Sequence, residues 1–194
     1  MGSKYTPKII LQRLLDGNKR FVSGNTLNPN QGKDRIIELS ESQNPVAAIV
    51  GCADSRVPPA IVFDQGLGDL FVVRTAGNLI DDLALGSIEY ATEYLGVELI
   101  VVLGHSKCGA VEAAVQNTNV SGNIKTIINK IKPAVKKAKD LPGDLTDNAV
   151  KENVKLVANK IKTSKPILTK LYKDNKINIE SAFYEVETGK VHMI

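Results

Sequence analysis

Two short apolar runs constrain this chain most: "PVAAIV" at 45–50 and "ELIVVLG" at 98–104. A strand with one wet face alternates apolar and polar residues. A run without that alternation is expected of a strand buried on both faces, as in a parallel sheet covered by helices. "DLFVVRT" (69–75) reads as a further strand, and "INIESAFYEVETGKVHMI" closes the chain with a strand, a turn at Thr188–Gly189 and a last short strand.

Helical patterns fill the intervals. "TPKIILQRLLDGNKRFVSGN" has Thr6 as N-cap, Pro7 at the first helical position and a stripe of Ile10, Leu11, Leu14, Leu15 and Phe21. A short helix at about 33–42 carries Ile36, Ile37 and Leu39, and "DDLALGSIEYATEYLG" (81–96) opens with acids and ends at Gly96. Another helix is expected from near Cys108 to about 116. Two Lys-rich amphipathic helices follow. One has Ile124, Ile127, Ile128, Ile131 and Val135 on its stripe and a possible kink at Pro133. The other has Val150, Val154, Val157 and Ile161, with Thr146 or Asp147 as cap. A shorter helix is expected around 164–174. The fold class is therefore α/β: a mostly parallel β-sheet, about four parallel strands plus a C-terminal antiparallel strand, flanked by helices. The 194 residues are expected to form a single domain, 1–194, with an N-terminal helical arm (about 6–42) and a Lys-rich helical insert (about 117–176).

The net charge of +4 is uneven. Residues 117–176 hold 14 Lys and 5 acids, so the remainder sums to −5. The lysines fall between apolar positions at helical spacing, as on solvated helix faces. That segment has no Arg, and Tyr172 is its only aromatic, so no nucleic-acid partner is expected. No apolar run reaches the length of a membrane span, and "MGSKYTPKII" lacks a signal-peptide core, so the expected location is cytoplasmic. "MGSKYT" fits the permissive myristoylation pattern, which chance or a cloning remnant also produces.

The chain has two cysteines and two histidines, and three of these four lie in "IVGCADSRVPP" (49–59) and "VVLGHSKCGAV" (101–111). Cys52 follows one apolar strand and His105 follows another, at the carboxyl ends where such sheets bind ligands. Cys52 with His105-x-x-Cys108 is a soft nitrogen-and-sulfur set that suits zinc. Gly104 and Gly109 flank the pair and would let the backbone pass close to a metal. The competing readings are an inert core cysteine, and a closed structural site in which Asp54 supplies a fourth ligand. Asp54 and Arg56 lie at i+2 and i+4 from Cys52, so an extended chain would point all three the same way. Arg56 would then hold the carboxylate by a forked hydrogen-bond pair and draw it off the metal; a plain structural ion pair fits the same spacing.

The blocks "CADSRVPP", "FDQGLGDLFVVRTAGN", "GSIEYATEYLG" and "VVLGHSKCGAV" resemble those of β-class carbonic anhydrases, from the "LLDGNKRF" helix to about residue 115 and again in the closing strand. The Lys-rich helices look like a lineage-variable insert. The resemblance implies a β-carbonic anhydrase-like fold with Cys52, His105 and Cys108 as Zn²⁺ ligands and Asp54 and Arg56 as catalytic dyad. In some members of that family the aspartate that matches Asp54 also closes onto zinc as a fourth ligand, in an inactive state. The resemblance also implies that Gln43, nine residues before Cys52, hydrogen-bonds substrate, and that Phe71 and Tyr90 line a carbon dioxide pocket. In the family that pocket lies at a dimer interface and is lined in part by the partner, so the resemblance implies a homodimer or higher homo-oligomer. One subtype's regulatory bicarbonate site uses a tryptophan, which this chain lacks, so it resembles the subtype with an open, water-ligated zinc.

The implied reaction is reversible hydration of carbon dioxide to bicarbonate and a proton by a zinc-bound hydroxide. Alternatives are a carbonyl sulfide or carbon disulfide hydrolase on the same site, and a noncatalytic zinc-stabilised interaction protein. His192, the other histidine, lies far along the chain, and a terminal-strand residue of this kind is more often structural than a proton shuttle. Two thiolates cancel the formal charge of Zn²⁺, so hydration activity is expected to climb above about pH 7–8. A stopped-flow profile that stays flat between about pH 6 and 9 would contradict the argument.

Overall fold

In the computed structural model, which describes residues 5–194, five strands make one sheet: Ala47–Cys52 (β1), Leu70–Thr75 (β2), Leu99–His105 (β3), Asn178–Tyr184 (β4) and Val191–Met193 (β5). Their spatial order is β2-β1-β3-β4-β5; the first four run parallel and β5 pairs antiparallel with β4. The "MGSK" part of the myristoylation pattern falls outside the described residues. Every residue of β1 and β3 is buried. Ala48, Val50, Ile100 and Val102 enter one apolar cluster, while Ala47, Ile49, Leu99, Val101 and Leu103 enter another. Each strand thus feeds two cores, which is why its sequence shows no polar alternation.

Pro7–Ser23 (α1) begins as expected, with Thr6 accepting from the Ile9 amide. It packs Ile10 and Leu14 on one face of the sheet together with Pro59–Val62 (α3). Buried Asn18 ties α1 to the rest, donating to the carbonyls of Val62 and Gly189 and accepting from the Val191 amide. Lys33–Glu38 (α2) is shorter than expected, and Ile36 and Ile37 on it are exposed. Asp82–Glu93 (α4) and Gly109–Val115 (α5) fall where the sequence put them.

The Lys-rich segment forms Ile124–Ala138 (α6), Leu145–Thr163 (α7) and Ile167–Lys173 (α8). Pro133 sits inside α6 and the helix runs through it. Buried Ile128, Ile131, Val135 and Ala138 line α6, whereas Ile124, at its first turn, is exposed. The cap of α7 is Asp144, whose carboxylate accepts from the Asp147 amide; the expected caps, Thr146 and Asp147, lie inside the helix. Val150, Val154, Val157 and Ile161 are all buried, and α7 lies directly over the sheet.

That packing reassigns one glycine. A Cβ on Gly104 would lie 2.5 Å from Val154 Cγ2 and 2.7 Å from Val150 Cγ1, so Gly104 serves the seating of α7. A Cβ on Gly109 would meet nothing within 4 Å. Gly104→Ala is expected to cost about 1–3 kcal/mol of stability through overpacking, and Gly109→Ala less than about 0.5 kcal/mol. Urea unfolding of the two variants checks the contrast.

Candidate metal centre

The parallel register pairs Gly51 with Leu103 and so brings the carboxyl ends of β1 and β3 together. Cys52 and His105 leave the sheet there side by side. Cys108 arrives as the N-cap residue of α5 after a tight turn in which Lys107 takes φ 53°. One ligand atom from each of Cys52, His105 and Cys108 lies within 4.8 Å of the others, and all three residues are buried. Tetrahedral zinc with its usual bond lengths needs such atoms about 3.5–3.8 Å apart, a small adjustment from this arrangement.

The imidazole is the most telling member. His105 is fully buried, and its Nδ1 lies 2.8 Å from the Ser106 carbonyl oxygen. An acceptor there assigns the proton to Nδ1 and leaves a lone pair on Nε2. Nε2 has no hydrogen-bond partner. Asp54 Oδ2, itself an acceptor, lies 3.9 Å from it. A buried unpaired acceptor costs about 1–3 kcal/mol, and a cation between the two acceptors would remove that cost.

The thiols tell the same story. The Cys52 thiol is held well below its usual value, first by a hydrogen bond with the Cys108 thiol and further by the His105 ring and the amides of Asp54 and Gly77; burial opposes the shift. The Gly77 amide donates to Cys52 Sγ at 3.3 Å. Cys108 is pushed up by its bond with Cys52, by burial and by the neighbouring thiolate charge. The pair accepts one negative charge readily and resists a second, a resistance that a divalent cation cancels.

Asp54 and Arg56 pair, though not on extended backbone. The Ala53 amide still donates to the Thr75 carbonyl of β2, and the chain then turns at Ser55 and Arg56, where the Val57 amide donates to the Asp54 carbonyl at 3.1 Å. Asp54 Oδ1 accepts from the Arg56 amide and from Arg56 Nε, both at 2.9 Å, and Oδ2 accepts from Nη2 at 2.7 Å. Asp54 is held down to about 2, with the Arg56 side chain as the largest cause. Arg56 also donates to the Lys107 carbonyl at 3.0 Å, linking the β1 loop to the His105–Cys108 loop. The cluster within 4.8 Å consists of the two sulfurs and the imidazole, without the Asp54 carboxylate.

Gln43, Phe71 and Tyr90 lie elsewhere in the chain. Gln43 is exposed and precedes the amino end of β1, a strand about 20 Å long. Phe71 pairs in register with Ala48, whereas Cys52 pairs with Thr75, so Phe71 sits about 13 Å back along the sheet. Phe71 meets Tyr90 at 6.4 Å between ring centroids, and Tyr90 stacks on Tyr94. These side chains gather beside β2, the edge strand, and away from the cysteines of the same chain. His192 is half exposed, 3.4 Å from Glu185.

Arg74 escaped the sequence reading. It donates to the carbonyls of Cys52 (2.7 Å) and Asp54 (2.6 Å), fixing the backbone where the chain leaves β1. An arginine ending the apolar run "LFVV" was the available signal. Gly77 at φ 67° gave none, because its contribution is a backbone amide.

A buried Cys–His–Cys cluster at the carboxyl end of a mostly parallel sheet, beside a forked Asp–Arg pair, defines an α/β protein with a set of soft ligands that could hold a metal ion. Comparison with known proteins gives the family. A family model described as carbonic anhydrase matches residues 47–191. The carbonic anhydrase of Mycolicibacterium smegmatis is 50% identical over 133 residues, 66% of this chain and 65% of that protein. The chain thus spans just under two thirds of that relative's length. Among solved structures, the β-carbonic anhydrase CcaA superposes with a TM-score of 0.75 at 27% identity, covering 95% of this chain and 94% of that one. One of two tetrameric β-carbonic anhydrases of Sordaria macrospora gives a TM-score of 0.77 at 21% identity, covering 95% and 96%, a likeness of fold alone. The chain belongs to the β-carbonic anhydrase family.

Uptake of a divalent ion by this cluster should require all three side chains. Cys52→Ala, His105→Ala and Cys108→Ala are each expected to lose a bound divalent ion on dialysis with a near-native circular dichroism spectrum; elemental analysis of the dialysed proteins checks it.

Proposed function

We propose that this chain catalyses the reversible hydration of carbon dioxide to bicarbonate and a proton, with Cys52, His105 and Cys108 holding a zinc ion. The observation that carries this reading is the fully buried His105, whose Nε2 has no hydrogen-bond partner and whose ring has a nitrogen within 4.8 Å of two cysteine sulfurs, beside a clamped Asp54. Zinc in such a set supplies Lewis acidity and lowers the pKa of water toward the neutral range.

The chain's own residues supply orientation and exclusion. Asp54 works as a fixed hydrogen-bond acceptor that aligns the attacking oxygen toward the substrate carbon. A carboxyl lowered on folding stays ionised above its folded value, so Asp54 remains an acceptor until pH falls toward about 2. Arg56 occupies both carboxylate oxygens and so disfavours closure of Asp54 onto the metal. This favours an open site over the closed, noncatalytic alternative.

Gln43, Phe71 and Tyr90 retain their proposed roles through a second copy of the chain: Gln43 donates to an oxygen of bicarbonate, and the two rings form an apolar wall for a small linear substrate. The open edge of β2 and the exposed Val72, Leu83, Tyr90 and Tyr94 support a homodimer or higher homo-oligomer in which one protomer's rings serve the other's site. Among the described residues no helix is long and apolar enough to cross a membrane.

Metal analysis joined to a carbon dioxide hydration assay tests the reading. The expected result is one zinc per chain, with Asp54→Ala keeping its zinc while turnover falls at least about 100-fold. Near-full activity in that variant removes the aligning role, and a metal-free active protein removes the whole reading.

A further inference from the structure

The loop between the two ligands His105 and Cys108 is held from outside the site. Ser106 is buried, and its amide donates to the Tyr184 carbonyl at 2.9 Å. Its hydroxyl donates to Glu187 Oε2 and accepts from the Val186 amide, both at 2.9 Å. Lys107, the next residue, adopts a left-handed conformation that is unfavourable for a side chain with a Cβ, so the turn does not hold itself. Its ammonium lies 2.6 Å from Glu187 Oε1. One carboxylate, on the turn between β4 and β5, therefore grips both residues that separate the two ligands. Lys107 is also the largest cause holding the Glu187 carboxyl down to about 2, so Glu187 is a charged acceptor throughout the neutral range.

The consequence reaches the imidazole through the Ser106 carbonyl, the acceptor for His105 Nδ1. If the Ser106 peptide rotates, Nδ1–H loses its acceptor, and the ring is no longer fixed with Nε2 toward the sulfurs. We propose that Glu187 is a positioning residue of the metal centre: by clamping Ser106 and Lys107 it holds the Ser106 carbonyl on His105 Nδ1–H and so presents Nε2 to the metal. Outer partners of ligating histidines commonly set metal affinity in this way. Nothing in the motif spacing points to Glu187, which lies 81 residues from Ser106 in sequence.

This inference rests on the zinc reading, and the test separates the two. Zinc affinity is measured by chelator competition on the full chain. Solvent exchange of the His105 Nδ1–H is followed by NMR of zinc-loaded protein carrying isotope-labelled histidine, in which exposed His192 is the only other ring. Glu187→Ala is expected to bind zinc about tenfold more weakly and to exchange that proton about tenfold faster. Glu187→Gln, whose amide oxygen still accepts from Ser106, should recover most of both. Ser106→Ala, which leaves the Glu187–Lys107 pair in place, should accelerate the same exchange by a second route. Thr188→Ala breaks the Thr188–Glu185 hydrogen bond in the same turn without touching Ser106 and should change neither reading. A wild-type chain that takes up no zinc overturns the zinc reading. If the wild type binds zinc, unchanged exchange and affinity in Glu187→Ala and Ser106→Ala overturn the positioning role alone. Equal losses in Thr188→Ala also overturn it, because the effect would then be general loosening of the turn.

Discussion

The register between β1 and β3 is the constraint on which the rest depends. Parallel pairing of Ala48 with Ile100 through Gly51 with Leu103 fixes where the two strands end relative to one another. A slip by one residue would turn every side chain of β1 to the opposite face and exchange its two apolar clusters. The clusters on either side are filled by different helices, α4, α7 and α8 on one face and α1 and α3 on the other, so the register is fixed from both sides. The Cys–His–Cys cluster is a by-product of that fit: Cys52 and His105 converge because the strands carrying them cannot slide.

Electrostatics at the sheet's end then divides the work between two kinds of negative group. The thiols are buried, and their second ionisation is opposed by the first. A divalent ion is what makes that double charge tolerable in a dry setting. Asp54 stays partly solvated and is paid in full by Arg56, so it has little to gain from leaving its guanidinium for a metal. Arg56 in turn is tied to the Lys107 carbonyl, and Lys107 to Glu187. The loop after β1, the ligand loop after β3 and the turn after β4 thus form one continuous polar belt around the cluster.

The strands and the three clustered side chains were legible in the sequence because each leaves a pattern: apolar runs without alternation, and rare soft ligands at their ends. What was not legible is what depends on partners distant in sequence or on backbone groups. Gly104 beside a ligand suggested close approach to a metal, yet its missing Cβ makes room for Val150 and Val154, some 50 residues away. The Asp54–Arg56 spacing fitted an extended chain as well as a turn, and the turn prevails because the Arg56 amide finds the carboxylate. The α7 cap fell on Asp144 because a proline and a glycine precede it and end the preceding loop there, a local choice among several acids and hydroxyls. Gly77 acts through its amide and carries no side-chain signal at all.

The geometry of a single chain also explains why some of the expected site residues are so far from the metal cluster. A strand has two ends, and Cys52 sits at one while Gln43 precedes the other. No side-chain rotamer spans that length, so a role for Gln43 at a metal centre requires a neighbouring copy whose strand end faces the first chain's cysteines. The same holds for Phe71, which is four register steps from the level of Cys52. Beside these residues the chain leaves β2 without a partner on its outer edge and leaves Val72, Tyr90 and Tyr94 exposed. An unpaired edge flanked by aromatic rings is costly to leave in water. Burying it against a second copy would satisfy the edge and the rings together and would carry Phe71 and Tyr90 across the interface to a site their own chain cannot offer them.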